Sequence, residues 1–470
     1  MSTFRWSDEA VREALELPVD LAEPDLAYAR VSTDSRTIEP GDLYVALIGE
    51  RFDGHDFVAD ALENGAVGAV VSLKPIGELG GRLYLVADTL RALGRLAAYR
   101  RQRLTVPVVG ITGSSGKTTT KQMTAAALGA TLRVHATEGN RNNRIGMPLT
   151  ILDTPEEVDV LVLEMGTNEP GEIGALGEIA RPDIGVVTTV GESHLEKLGS
   201  IEGVLQEKLD LLRHVAPGGR CIVGDEPAML PEHAHDLCDS LRVVGWSERA
   251  DVDSRPENDE VDPVGRHTFG WRGQRVTAPM LGRHAVTNAL MALTIAELLG
   301  VAPVDAIRGL GDTTQAAMRG EFRRIGDLTI IVDCYNANPQ SVRGSLEILE
   351  AQEVASRKVA VLGTMLELGD ASNSLHAEVL EDALARDIDV VVATGGFAEA
   401  ARDLLDEGSA SGVPLMLADA WEDVYPELRD TLQGDEVVLL KASRGVALER
   451  LLPRLEADFG GSAGSEVVEA

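Results

Sequence analysis

Residues Gly110 to Thr119 read Gly-Ile-Thr-Gly-Ser-Ser-Gly-Lys-Thr-Thr, at the end of the apolar run Val106–Thr112 and ahead of a helix-compatible stretch. The chemistry of such a loop is phosphate binding. Glycines let backbone N–H groups converge on phosphate oxygens, and a helix start adds positive potential. Lys117 supplies a mobile cation to the outer phosphates, and Thr118 offers its hydroxyl to Mg²⁺. Gly113, Ser114, Ser115, Gly116, Lys117, Thr118 and Thr119 are therefore the expected cofactor-binding segment. The usual spacing would put a glycine at position 111, where Ile111 stands, and Gly110 lies one residue further back. This loop indicates a nucleoside triphosphate; kinase, motor, switch and ligase all remain open.

Three more residues could act beside it. Glu164 ends the run Val-Asp-Val-Leu-Val-Leu-Glu, which places a carboxylate at the C-terminal end of a strand, where it suits Mg²⁺. His194 follows the run Ile184–Val190 in Gly-Glu-Ser-His-Leu-Glu, and is either a ligand or a structural histidine. Lys208, in Gln-Glu-Lys-Leu-Asp, reads on composition as an exposed helix lysine. Joining a carboxylate to an amine needs a phosphorylated carboxylate, metal ions to quench charge, and an amine that loses a proton before attack. The phosphate loop and these residues would supply the cradle and the metal. They do not identify the acceptor.

The elements that must position them alternate between strand and helix patterns. Val106–Thr112, Val158–Leu163 and Ile184–Val190 are apolar runs separated by helical stretches, which predicts βαβ units around a parallel sheet. The polar, turn-rich stretch Ser247–Val276 predicts short hairpins at a domain edge. Leu328–Val332, Lys358–Leu362, Val390–Ala393 and Val437–Leu440 predict a second open α/β unit. Upstream, Leu43–Ile48, Gly68–Ser72 and Leu83–Val86 are shorter runs, and Arg91–Arg103 predicts a helix with its arginines on the wet face. At 470 residues the chain has room for about three domains. We place them at 1–105, 106–314 and 315–458, with a Gly/Ser/Glu-rich tail at 459–470 expected to fray.

Composition narrows the function classes. Hydrophobic residues make up 44% and charged residues 25%, as in ordinary globular chains. A net charge of −33 argues against general nucleic-acid binding, because phosphates would be repelled. No stretch of about 20 apolar residues predicts a membrane span, and the first ten residues lack a signal-peptide core. Cys221, Cys238 and Cys334 form no CxxC pair, and an odd count is a poor disulfide framework, so we expect a reducing, cytoplasmic setting.

An ordered series of blocks along nearly the whole chain resembles the Mur ligase family. It comprises Asp34-Ser-Arg36, Pro40-Gly-Asp42 and Asp53-Gly-His55, then the phosphate loop in its Thr-Gly-x-x-Gly-Lys-Thr-Thr form. There follow Gly139-Asn140-Arg-Asn142-Asn143, Glu164-Met-Gly166-Thr-Asn168 and Asp333-Cys-Tyr335-Asn336-Ala337-Asn338-Pro339. Last come Val361-Leu-Gly363-Thr-Met365-Leu-Glu367-Leu-Gly369 with His376, and Lys441-Ala-Ser443-Arg444-Gly445. The later blocks resemble the branch that takes a dipeptide acceptor.

The resemblance implies three α/β domains: a UDP-binding N-terminal domain, a central parallel-sheet P-loop ATPase domain and a C-terminal Rossmann-like domain that closes on ATP. It implies an ADP-forming peptide ligase that joins D-alanyl-D-alanine to UDP-N-acetylmuramoyl-tripeptide in peptidoglycan precursor synthesis. By position, Lys117, Glu164, His194 and Lys208 would be catalytic. Thr118, Glu164, His194 and a carbamylated Lys208 would hold two Mg²⁺ ions. His284, Asn288, Arg319 and Asp333 would contact ATP, and Ser35, Arg36, Asn140, Asn143, Asn336 and Asn338 the other substrates. The expected partners are these small molecules, with no nucleic acid and no membrane, acting on a monomer. Ala285, Thr364 and Ala442 depart from the family's usual Asn, Asp and Gly, and none of the three removes a metal or phosphate ligand. The competing readings are a family member that adds a single amino acid, and a P-loop regulatory ATPase that forms no bond.

Overall fold

The apolar runs become the strands of three mainly parallel sheets. The computed structural model describes residues 4–73, 79–249, 251–353, 357–406, 412–460 and 466–467. The first sheet orders Val31–Ser32, Leu43–Val45, Gly68–Val71 and Arg82–Leu85, all parallel. The helix Thr89–Arg103 follows, and Asp88 caps its start by accepting the Arg91 N–H at 3.0 Å.

That helix corrects one expectation. Its arginines do not all face water: Arg100 is 1% exposed. The guanidinium pairs with Glu156 at 2.7 Å, donates to the Thr154 carbonyl at 3.0 Å and lies over the Phe4 ring. The helix is wedged between the N-terminal and central units, so its charged side also meets protein. Leu93 and Leu96 share one core with Trp6, Tyr28 and Tyr84 before them and with Leu161, Leu163 and Leu211 of the central unit.

The central sheet has six strands in the order Leu241–Val244, Arg220–Gly224, Ile184–Val187, Val108–Thr112, Val160–Glu164 and Val134–Ala136. All are parallel. From Val108–Thr112 the chain passes to the edge strand Val134–Ala136, returns to fill the place between with Val160–Glu164, then crosses to Ile184–Val187 on the other side. The strand order reverses there, which opens a crevice at the C-terminal ends of the strands. The buried helix Arg283–Leu298 covers the opposite face with Lys117–Gly129. The turn-rich stretch folds as the antiparallel strands Glu257–Val261, His267–Trp271 and Gln274–Thr277, whose Phe269, Trp271 and Val276 pack into that same core.

The C-terminal sheet orders Leu415–Ala418, Val390–Thr394, Lys358–Leu362, Val437–Lys441, Leu328–Asp333, Glu321–Ile325 and Glu466–Val467. Only the last two junctions are antiparallel. Part of the tail expected to fray thus forms an edge strand, because Arg323 and Arg324 present unpaired backbone to it; residues 461–465 and 468–470 lie outside the described residues.

The cysteine reading also needs correction. Cys221 and Cys238 are joined in a disulfide with Cα atoms 6.3 Å apart, and Cys334 is the buried free one. Cys221 lies in the Arg220–Gly224 strand, and Cys238 ends the loop that leads into the neighbouring strand Leu241–Val244. The odd count hid a pair because two cysteines bond and one does not.

Replacing Arg100 with alanine should destabilise the chain by about 3 kcal/mol, since it leaves the Thr154 carbonyl unpaired and a void beside Phe4. Urea denaturation followed by circular dichroism measures this, and a loss under about 0.5 kcal/mol would contradict the account.

Candidate active site

The phosphate loop leaves the buried strand Val108–Thr112 at the point where the sheet order reverses. Gly116 has φ +81°, and a Cβ there would stand 2.7 Å from Asn288 Oδ1. Gly113, at φ +147°, packs as closely on Thr188. Both positions therefore require glycine. Ser114 fastens the loop to the next strand's exit: its N–H donates to Thr189 O at 2.8 Å, its hydroxyl to Gly191 O at 3.1 Å, and it accepts from Ser193 Oγ at 2.9 Å. Lys117 folds back to donate to Gly113 O at 2.7 Å. Desolvation lowers its pKa to about 8, against the opposing pull of Glu164.

Glu164 is 1% exposed at the end of the neighbouring strand. Its Oε1 accepts from Thr118 Oγ1 at 3.0 Å and from Asn142 Nδ2 at 2.8 Å. Its Oε2 makes no hydrogen bond and lies 3.3 Å from Lys121 Nζ. On the other side of the loop, His194 sits at φ +55° with Nδ1 2.5 Å from Glu367 Oε2 of the C-terminal unit.

Lys208 overturns the expectation of an exposed helix lysine. It is 0% exposed, and its Nζ has no hydrogen-bond partner. Burial, then the nearby charge of Lys117, pushes its pKa far below the usual lysine range, which disfavours the ammonium form. The signal was in the spacing. Val204, Leu205, Leu211 and Leu212 lie at minus four, minus three, plus three and plus four from it, so Lys208 occupies the centre of the buried stripe of Ile201–Arg213. The adjacent Glu207 is buried as well. It accepts from Thr167 Oγ1 at 3.1 Å, Ile173 N at 2.8 Å and Gly171 N at 2.7 Å, and so holds the loop after Glu164.

From the C-terminal side come Asp333 and Lys441, paired residues at the ends of adjacent parallel strands. Lys441 Nζ lies 2.8 Å from Asp333 Oδ2 and donates to Asn336 O at 2.7 Å, while Ser345 Oγ donates to Asp333 Oδ2 at 2.6 Å. Arg319 lies over the Tyr335 ring, 4.0 Å from its centroid.

These groups line one cavity of about 890 Å³ between the central and C-terminal units. Of the expected site residues, Gly113, Lys208, Ser35 and Arg36 are not on its wall. Gly113 lies beneath the loop and Lys208 behind the surface. Ser35 and Arg36 stand in the N-terminal turn Ser35–Thr37, where Arg36 pairs with Asp34 at 2.7 Å. Three asparagines on the wall have structural employment. Asn288 Oδ1 accepts from Thr120 at 3.2 Å, Asn143 Oδ1 caps Gly146 N at 2.9 Å, and Asn338 forms a capping box with Ser341 at the start of Pro339–Glu350.

Sequence reading quoted Asn142, Glu367 and Lys441 within family blocks but gave them no role, and it passed over Lys121 and Glu207. Lys121 was legible as the position one helical turn after Lys117, and Lys441 as a charge ending an apolar run. His376 holds the Gly363–Gly369 loop from behind: its Nε2 accepts the Met365 N–H at 2.9 Å. Thr364 Oγ1 accepts from Gly396 N at 3.0 Å, at the start of the next helix.

The residues present fit divalent metal. An acidic oxygen without a hydrogen bond, a hydroxyl beside it, and a buried amine without a hydrogen-bond partner all lie near the phosphate loop. Among the described residues no three His, Cys, Asp or Glu side chains form a metal cluster of their own.

Comparison with known proteins gives a consistent result. The Mur ligase family, catalytic domain model matches residues 27–101, the Mur ligase middle domain model 111–296, and the Mur ligase, glutamate ligase domain model 318–444. The UDP-N-acetylmuramoyl-tripeptide–D-alanyl-D-alanine ligase of Bacillus subtilis is 37% identical over 90% of this chain and 92% of its own length. The Escherichia coli ligase of the same name is 32% identical over 93% and 96%. A crystal structure of MurF from Acinetobacter baumannii superposes with a TM-score of 0.87 at 32% identity, covering 97% of this chain and 100% of that one. MurF ligase from Thermotoga maritima in complex with ADP gives 0.79 at 29% identity, over 92% and 97%.

Gly116→Ala should weaken ATP binding about tenfold or more, because the left-handed φ and the contact with Asn288 both oppose a Cβ. Isothermal titration of ATP measures it, and wild-type affinity would refute the role given to this turn.

Proposed function

This chain belongs to the Mur ligase family, and from that premise we propose how its cavity performs the family's chemistry. It is an ADP-forming peptide ligase that joins D-alanyl-D-alanine to UDP-N-acetylmuramoyl-tripeptide, a step of peptidoglycan precursor synthesis and so of cell-wall building. It uses ATP. The observation that carries this reading is a phosphate loop facing C-terminal groups across one cavity, in a chain 37% identical over 90% of its length to a ligase of that name.

In this mechanism the loop amides from Gly113 to Thr119 and Lys117 hold the phosphates. Arg319 and Asp333 reach them from residues 315–458, and His284 and Asn288 flank the base. Thr118 and Glu164 would hold one Mg²⁺, and His194 and carbamylated Lys208 a second; bound there, the ions neutralise charge on phosphate and carboxylate oxygens. Lys208 suits carbamylation because burial disfavours its protonated form. The free amine attacks CO₂, an N–C bond forms, one N–H proton is lost, and the amine becomes an anionic oxygen ligand.

Residues 1–105, through Ser35 and Arg36, bind the UDP end, and Asn140 and Asn143 face the peptide end. The tripeptide's terminal carboxylate attacks the γ-phosphorus and ADP leaves. The dipeptide amine then attacks the acyl phosphate, loses a proton and expels phosphate. Asn336 and Asn338 lie on the acceptor side, Asn338 by shaping the helix start. The cavity's closure by the C-terminal unit keeps water from the acyl phosphate. Among the described residues no helix is long and apolar enough to cross a membrane. We place the enzyme in the cytoplasm, acting as a monomer.

The test is ADP release by the purified chain with ATP, Mg²⁺ and UDP-N-acetylmuramoyl-tripeptide. ADP should form only when D-alanyl-D-alanine is present, and the product mass should equal the joined pentapeptide. Release that ignores the dipeptide, or that a single amino acid supports better, refutes the acceptor. For Lys208, the wild-type protein in ¹³C-bicarbonate should show a carbamate resonance that Lys208→Ala lacks. That variant should lose at least about a hundredfold in turnover; a carbamate signal persisting in it would refute the assignment.

A further inference from the structure

Lys121 is a buried lysine for which the mechanism above has no use. It stands one turn after Lys117 on the helix Lys117–Gly129, and is 4% exposed. Its Nζ lies 3.3 Å from Glu164 Oε2 and 3.3 Å from the Gly139 carbonyl. Burying an ammonium costs several kcal/mol, and an apolar side chain would fill the same space without that cost. Its position therefore needs a reason.

The hydrogen bonds around Glu164 supply one. Thr118 and Asn142 both donate to Oε1, and neither carries charge. Lys121 is the cation that the structure sets against the carboxylate, and it meets Oε2, the oxygen left without a hydrogen bond. Lys117, the nearest alternative, is turned to the Gly113 carbonyl instead. The contact with Lys121 is long and electrostatic, so a stronger cation can displace it without breaking a directed bond. The Gly139 carbonyl keeps the ammonium anchored when that happens.

We propose that Lys121 is a placeholder cation for Glu164. It compensates the buried carboxylate until a metal-bearing nucleotide arrives, and so discourages a free divalent cation from settling there beforehand. Metal then enters together with ATP, in the position the phosphates require. Lys121 is a positioning residue here: it acts on substrate only through Glu164. This inference rests on the reading of Glu164 as a metal ligand.

The experiment measures Mn²⁺ binding by electron paramagnetic resonance, with and without ATP, on the full chain. Lys121→Met should bind Mn²⁺ without nucleotide about tenfold or more tighter than wild type, since a positive charge beside the carboxylate has been removed. Lys121→Arg keeps the charge and should stay near wild type, which separates charge from packing. The gain should vanish in Lys121→Met combined with Glu164→Gln. Should Lys121→Met fail to fold, as judged by its thermal melt, Lys121→Gln carries the same comparison. Wild type taking up Mn²⁺ with ATP, while the neutral variants bind it no more tightly without ATP, overturns the placeholder role and leaves the metal reading standing. No uptake by wild type even with ATP overturns both.

Discussion

The burial of one carboxylate organises this molecule. Glu164 is held out of water at the end of a central strand, and a buried anion must be compensated from every side. Its partners come from three separate stretches: Thr118 and Lys121 from the phosphate-loop helix, Asn142 from the Gly139–Asn143 loop, and Thr137, whose hydroxyl accepts the Glu164 N–H at 3.0 Å. Those contacts fix the helix relative to the sheet. They also bring the Gly139–Asn143 loop against the loop that follows Glu164, since Asn142 O accepts Gly166 N at 2.8 Å. The site geometry follows from satisfying one charge.

The C-terminal unit answers with a similar device. Asp333 and Lys441 end neighbouring parallel strands and neutralise each other at the cavity wall. Two α/β sheets thus present the C-terminal ends of their strands to the same space, where loops are free to vary and helix starts point inward. Contacts between the units mix polar pairs, Thr189 with Gln340 at 2.9 Å and His194 with Glu367, with the apolar Leu281 and Leu195 packed on the C-terminal core. Such an interface is suited to opening and closing.

Much of this was legible in the sequence because local patterns and global fold agree. The apolar runs became strands, and the glycine loop fell at the reversal of strand order, since both signals depend only on neighbours in sequence. What was lost depended on tertiary surroundings. Arg100 and Lys208 look like surface residues by type, yet one is wedged between two units and the other lies in a helix's apolar stripe. Glu367 and His194 meet only because two units dock. Asn338 carries a family motif but spends its side chain on a helix cap, a use that the pattern Asn-Pro-Gln-Ser itself suggested.

The core shared by Leu93 and Leu96 with Leu161, Leu163 and Leu211 carries a consequence for how the chain can be divided. The helices Gly146–Leu152 and Glu172–Ala180 on one face of the central sheet turn apolar residues outward, away from the sheet. The long N-terminal helix Thr89–Arg103 packs on those two helices, so cutting the chain at the apparent domain boundary would uncover their apolar outer faces and invite aggregation. The first two units therefore form a single hydrophobic body, inseparable in folding although distinct in topology. The face that carries the phosphate loop is thus braced by a part of the chain none of whose residues line the cavity.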